Sequence, residues 1–320
     1  MPITRRAAIL GSIGAVGGLI LASKNNPFLS PADAQIATVS EDTPALPVFS
    51  IPNPIAPATW SEITTALGPV AGFRGYNGPN DYPNGVPTAF PGKKAGPVPA
   101  GVTSVVLSFK PNIAELLSGS LDTAIIAWLQ MFPANLSIFL TAWHEGEASA
   151  GQTPANLIAM HQHMLGLVSA SAPSNVSYTQ IVESWTQNPG SKYYPAQYAG
   201  ATPGIAQWLC PGLSLYGIDV YPATDSDTWA TTALQAIAAI QAVAGADAVI
   251  AITESNFGAN FVAPAAQIEQ FFNDGWAWAS SQQPPCPVFG PYYGNSPCTW
   301  SPASGVISTL NAINAASIAT

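Results

Sequence analysis

The chain has little charge of either sign and very few bases. Of its 320 residues 8 are Lys or Arg, 3 are His and 17 are Asp or Glu, so charged side chains make only 8% of the sequence. About 25% is usual in a soluble domain. So few cations cannot form the basic surface that nucleic acid or an anionic membrane requires, and both are excluded as partners. Cysteine is scarce as well. Cys210, Cys286 and Cys298 match no zinc spacing, and His144, His161 and His163 add no ligand pattern, so neither a metal nor a cofactor is expected. There is no G-x-G-x-x-G or Walker loop and no G-x-S-x-G elbow. Those absences argue against nucleotide cofactors and serine-nucleophile hydrolysis. Past the N-terminus no apolar run is long enough to span a bilayer.

What the chain does have is apolar mass, 48% of residues, with 31 Pro and 27 Gly to shape loops. Thr4-Arg5-Arg6 precedes an apolar, Gly-rich run from Ala7 to Ala22, and Ala32-Asp33-Ala34 has the form of a cleavage site. Residues 1–34 therefore read as a twin-arginine-like export signal and 35–44 as a linker, with a single domain over 45–320. Lack of a Phe two positions after Arg6 leaves ordinary Sec export open, and a retained N-terminal anchor is the alternative to cleavage. The expected product is a secreted monomer. From Gln35 onward it holds five bases (the chain's 8 less Arg5, Arg6 and Lys24) and sixteen acids (17 less Asp33). In an oxidising compartment Cys286 and Cys298 can close a short loop, which would leave Cys210 free and buried.

Apolar β-rich runs alternate with helical patterns. The strand candidates are Val48–Ile51, Val70–Tyr76, Val105–Phe109, Ser137–Trp143, Tyr178–Trp185, Leu215–Tyr221, Val249–Glu254 and Val288–Tyr293. Helical spacing lies over Thr59–Leu67, Asn112–Phe132, Pro154–Ala170, Ser226–Ala244, Pro264–Ser280 and Ala303–Ala316. Strands that are apolar at nearly every position suit a parallel sheet covered on both faces. Eight such units in a chain of this length predict an α/β fold closed as a (β/α)8 TIM barrel, with an open doubly wound sheet as the alternative. The Pro/Gly-rich stretch Gly78–Ala100 reads as a long loop on the active face.

In a barrel of this kind chemistry gathers where strands end. Those positions here are polar or aromatic: Arg74 and Tyr76, Lys110, His144 and Glu145, Glu183 and Trp185, Asp219 and Tyr221, Glu254, Tyr292 and Tyr293. Glu145 closes the fourth run and Glu254 the seventh, on opposite sides of the mouth. Cleaving a glycosidic bond takes a protonated carboxyl to assist the leaving oxygen and an ionised one to attack or to activate water. A neutral sugar polymer also fits an acidic surface. Glu147 is a substitute for Glu145 if the strand ends later. Glu183 is either a third working carboxylate or an interior partner of Lys110 or Arg74. Trp185, Tyr292 and Tyr293 are candidate platforms for sugar rings, whereas Trp276 and Trp278 sit in a helical pattern and read as packing.

A catalytic Glu ending strand four and another ending strand seven resembles the clan A glycoside hydrolases. The His before the first Glu, in Trp143-His144-Glu145, is similar to glycoside hydrolase family 26, the mannanase-containing family. So are Val105-Val106-Leu107-Ser108-Phe109-Lys110-Pro111 and Tyr216-Gly217-Ile218-Asp219-Val220-Tyr221-Pro222. The resemblance spans about Val48 to Tyr293. It implies Glu145 as acid/base, Glu254 as nucleophile, His144 as a sugar ligand that helps hold the carboxylates, and Tyr221 as a hydrogen-bond donor to the nucleophile. Asp219, Trp185, Arg74, Tyr76, Lys110 and Tyr292 complete the expected substrate-binding set, for a polysaccharide or oligosaccharide cleaved with retention. The alternative is a sugar-binding protein on a degenerate hydrolase barrel, in which the two carboxylates would stand more than about 10 Å apart.

Overall fold

A computed structural model describes residues 46–50, 57–149, 151–187, 207–222, 226–256, 264–283, 286–291 and 306–318. The strands are β1 Leu46–Ser50, β2 Gly72–Tyr76, β3 Ser104–Phe109, β4 Ser137–Ala142, β5 Val176–Tyr178, β6 Gln180–Glu183, β7 Leu215–Val220, β8 Val249–Ser255 and β9 Val288–Pro291. The helices are α1 Pro57–Leu67, α2 Ile113–Leu117, α3 Asp122–Leu129, α4 Pro154–Ser171, α5 Ser184–Gln187, α6 Gln235–Ala244, α7 Ala265–Ser281 and α8 Val306–Ile318. Among the described residues no helix is long and apolar enough to cross a membrane.

All strand pairings are parallel, in the order β5-β4-β3-β2-β1-β9-β8-β7-β6. The two ends of that order are one stretch of chain. β5 pairs with β4 and β6 with β7, and only Thr179 separates β5 from β6. This broken strand closes the sheet, so the nine pieces make the eight staves of a (β/α)8 barrel. Closure explains why β3 and β7 are buried at every position: helices cover one face and the barrel interior the other.

Alternation along the strands sorts residues between those faces. Val105, Leu107 and Phe109 of β3, with Tyr216, Ile218 and Val220 of β7, join the large core under the helices. Val106, Phe139, Ile181, Leu215, Ala251 and Val288 form a separate small cluster that fills the barrel interior. Fully burying each such side chain is worth about 1.5–3 kcal/mol. In the same interior Gly217 leaves the space that Ile181 and Thr253 occupy, since a Cβ there would come within 2.6 Å of Ile181 and 3.0 Å of Thr253. Above this layer the inward positions turn polar: Arg74, Ser108, Thr141, Glu183 and Asp219.

Several boundaries differ from expectation. The helical pattern 112–132 is two helices, α2 and α3, because Gly119 adopts positive φ and turns the chain between them. The pattern 226–244 opens on a π-helical turn, Ala230–Leu234, before α6. The stretch 78–100 holds only a short 3-10 turn, Pro83–Gly85, and is otherwise the irregular loop expected between β2 and β3. Cys286 is a buried free thiol whose Sγ–H points at the Val288 carbonyl, 3.0 Å away. Cys298 lies outside the described residues. Cys210 is buried and free.

Candidate active site

Glu254 reaches the mouth through a fault in β8. Ile218 pairs with Ile252, but Asp219 pairs with Glu254, so Thr253 is an extra residue on β8. Such a bulge bends a strand and re-aims a side chain. Thr253 and Glu254 consequently both serve the interior. Thr253 Oγ1 donates to Asp219 Oδ1 at 2.5 Å, and Glu254 turns into the cleft. The neighbouring strand accommodates the bulge with Gly290, where any Cβ would overlap the Thr253 carbonyl.

Three donors converge on Glu254. Oε1 accepts from Arg74 Nε at 3.2 Å and from the Tyr76 hydroxyl at 2.6 Å, and Oε2 accepts from the Tyr221 hydroxyl at 2.6 Å. Bonds of this kind fix the orientation of the carboxyl group. Arg74 is wholly buried, donates through Nη1 to Ser108 Oγ at 2.5 Å and lies over the Tyr76 ring at 4.6 Å. The resemblance implied the contact with Tyr221; those with Arg74 and Tyr76 arise from the inward alternation of β2.

Glu145 is held differently. β4 stops at Ala142, and Trp143 (φ 51°) and Glu145 (φ 54°) both take left-handed backbone, which is unusual for such side chains. Strain of this kind, of order 1–3 kcal/mol per residue, persists only where the surroundings enforce it. Here Trp143 N–H donates to the Phe109 carbonyl at 2.8 Å and its indole Nε1–H to Pro111 O at 2.6 Å, while Glu145 N–H donates to Ile181 O at 2.9 Å. The turn places a half-buried Glu145 over the cleft. One carboxylate oxygen from each of Glu145, Asp219 and Glu254 lies within 4.8 Å of the others. That is far inside the separation of about 10 Å set for a degenerate barrel.

The electrostatics act strongly on Glu145. Burial, then the charges of Glu183 and Glu254, push the Glu145 carboxyl well above the usual range, and it shares a hydrogen bond with Glu183. Burial also raises Glu183, and Asp219 is driven up by burial and by Glu254 and Glu145. Glu145 is therefore favoured in its protonated form. A cation among Glu145, Asp219 and Glu254 would have to compete with the Arg74 guanidinium, already 3.2 Å from Glu254.

The other expected residues divide. Arg74 and Asp219 have no exposed surface. Direct contact with a sugar was expected of both; instead Arg74 donates to Glu254 and lies over the Tyr76 ring, and Asp219 accepts from Thr253. His144 packs its ring edge-on to Tyr76 at 5.5 Å, and its Nδ1 is buried without a hydrogen bond. It bonds to neither carboxylate, and burial followed by Arg74 and Lys110 keeps the ring neutral. Lys110 is half-buried with Nζ 5.3 Å above the Trp143 ring. Trp185 is half-buried on α5, at the mouth end of β6. Tyr292 and Tyr293 lie outside the described residues. Trp276 and Trp278 pack as expected, against Phe289 and Trp229.

Two acids gain defined roles. Glu183 acts on Glu145, its charge helping to raise that carboxyl, and makes no ion pair with Lys110 or Arg74, the expected partners. Glu147 is buried and accepts the Glu183 backbone N–H at 2.6 Å and the Thr186 hydroxyl at 3.2 Å, which locks it away from the cleft. It is no substitute for Glu145.

No protein-family model and no curated protein matches the chain. Solved structures do resemble it. A GH128 (subgroup II) endo-β-1,3-glucanase from Sorangium cellulosum aligns at TM-score 0.50 and 14% identity, over 86% of this chain and 98% of that one. A glucosidase from Croceicoccus marinus aligns at TM-score 0.53 and 12% identity, over 86% and 68%. A modular family 26 endo-β-1,4-mannanase from Cellulomonas fimi aligns at 0.49 and 14%, over 84% and 70%. At such identities the likeness establishes the barrel fold these proteins share, and the resemblance to family 26 stays a resemblance.

Proposed function

We propose that the protein is a retaining glycoside hydrolase acting on a β-linked polysaccharide or oligosaccharide. Glu254, ionised and fixed by Arg74, Tyr76 and Tyr221, attacks the anomeric carbon. Glu145 gives its proton to the departing glycosidic oxygen. Water then enters, Glu145 takes a proton from it, and the resulting oxygen nucleophile displaces Glu254 and frees the sugar. The observation that carries this reading is the approach of Glu145 and Glu254 oxygens to within 4.8 Å. Retaining sites hold their carboxyls about 5–5.5 Å apart, and inverting sites about 6.5–9.5 Å. Support also comes from the raised Glu145 carboxyl, from the three donors that fix Glu254, and from a barrel like that of the glucanase and the glucosidase. We read the enzyme as a secreted monomer released by loss of residues 1–34, with no metal or cofactor in the reaction.

A panel of purified mannans, xylans, β-1,3- and β-1,4-glucans and bacterial wall glycans, followed by NMR of the first-formed anomer, tests the proposal. Hydrolysis with retained configuration is expected. Glu254→Gln and Glu145→Gln should each lower kcat/KM by at least a thousandfold, about 4 kcal/mol of barrel-mouth chemistry. Activity surviving within tenfold in both variants would end the assignment.

A further inference from the structure

Beside the carboxylate pair, on the side of β2, β3 and β4, opens a pocket of about 490 Å3. Its polar lining is Lys110, Asn80, Asn84, Asn112 and Gln152, with Trp143 as one wall and no Asp or Glu in the lining. That composition runs against the rest of the chain, where acids outnumber bases 17 to 8, and against the adjoining cleft, which gathers Glu145, Glu183, Asp219 and Glu254.

Lys110 is the unusual member. Arg74 is committed to Glu254 and Lys94 stands 3.7 Å from Asp81, but among the described residues Lys110 has no ion pair within 4.0 Å. It feels Glu145, Glu254 and Glu147 through space, and Arg74 as a repelling charge; burial outweighs all of these and lowers its pKa. The Trp143 ring face, 5.3 Å away, and these more distant carboxylates offset only part of its desolvation. Its neighbours are open to a ligand: Asn80, Asn84 and Asn112 are exposed and Gln152 is half-buried. The side chains of Asn80, Asn84 and Gln152 make no hydrogen bond to described residues, and Asn112 uses only Oδ1, to cap α2. The frame is rigid: Asn112 N–H donates to Asn84 O at 3.0 Å, Gly85 leaves no room for a Cβ against the Lys110 carbonyl, and the indole of Trp143 is tied to Pro111 O.

We infer that this pocket is a subsite for an acidic sugar, a uronosyl residue of the glycan, with Lys110 pairing its carboxylate and the four amides meeting its hydroxyls. The inference deepens the glycosidase reading and rests on it for the origin of the sugar. A charge-assisted bond, roughly twice as strong as a neutral one, would favour a carboxylate over the hydroxymethyl group of a neutral hexose. An amide lining with no acid would accept both donors and acceptors of the ring without repelling that charge.

The test is binding of D-glucuronate and D-glucose to the full chain, followed by NMR chemical-shift titration at low salt. Glucuronate should bind at least tenfold more tightly than glucose and weaken as salt rises. Lys110→Met should abolish the preference, and Lys110→Arg should keep it. Equal affinities for the two sugars, or a preference that survives Lys110→Met, overturns the inference. The two readings fail separately. Hydrolysis of neutral β-glycans without any uronate preference refutes the subsite and spares the enzyme. A uronate preference in a chain that cleaves nothing on the glycan panel refutes the enzyme and keeps the pocket.

Discussion

Glu147 allows the electrostatics of the mouth to be tested without any substrate. It is 4% exposed, and burial raises its pKa from 4.5 to about 7 even though the backbone N–H of Glu183, the Thr186 hydroxyl and Lys110 all favour its charge. A carboxyl raised in the folded state binds its proton more tightly there than in the unfolded chain. Its stabilising contribution is thus complete below the unfolded value near 4.5, and is lost as pH rises through about 7. With about 1.36 kcal/mol per pH unit, the loss approaches 3 kcal/mol by pH 8. For a domain of this size that amounts to roughly 5–10 °C in Tm. Glu147→Gln keeps a carbonyl oxygen for Glu183 and Thr186 but removes the titration. Scanning calorimetry of both proteins at pH 4.5 and pH 8 should show similar Tm values in acid and a variant several degrees more stable at pH 8. The Glu147 charge also helps to raise Glu145 and Glu183, so its removal relieves those two groups at pH 8 and acts in the same direction. A Tm difference that is the same at the two pH values would refute the argument.

Two further outcomes follow from the geometry of the pair. Glu183→Gln removes a charge that holds Glu145 protonated, so the alkaline limb of the kcat/KM–pH profile should move to lower pH; a limb that stays or moves upward contradicts the positioning role given to Glu183. Gly290→Ala forces a methyl against the bulged Thr253 carbonyl, and overpacking of this kind costs about 1–3 kcal/mol. Its Tm should fall, and kcat should fall further than stability alone explains, because the bulge aims Glu254. A variant with unchanged Tm would show that the bulge tolerates a side chain.

Much of the barrel was legible because strands covered on both faces must be apolar at almost every position, as in Val105-Val106-Leu107 and Ile250-Ala251-Ile252. Both glutamates of the pair were legible as well, as acids that end such runs in a chain with few bases to neutralise them. Depth was not. Arg74 and Asp219 stand at strand ends like Tyr76 and Tyr221, yet only the closed barrel decides that the first two are sealed from solvent. The partner of Glu183 was misjudged for a related reason. Opposite charge suggested Lys110 or Arg74, whereas the turn at Trp143–Glu145 brings Glu145 near it, and burial raises both carboxyls.

The sequence by itself determined the alternation of strands and helices, the acidic character and the identity of the two candidate working carboxylates, because each depends on residue type and local period. Only the tertiary structure decided where those carboxylates point. One extra residue in β8 and two left-handed residues after β4 set their directions, and each depends on backbone held in place by neighbouring strands that are distant in the chain.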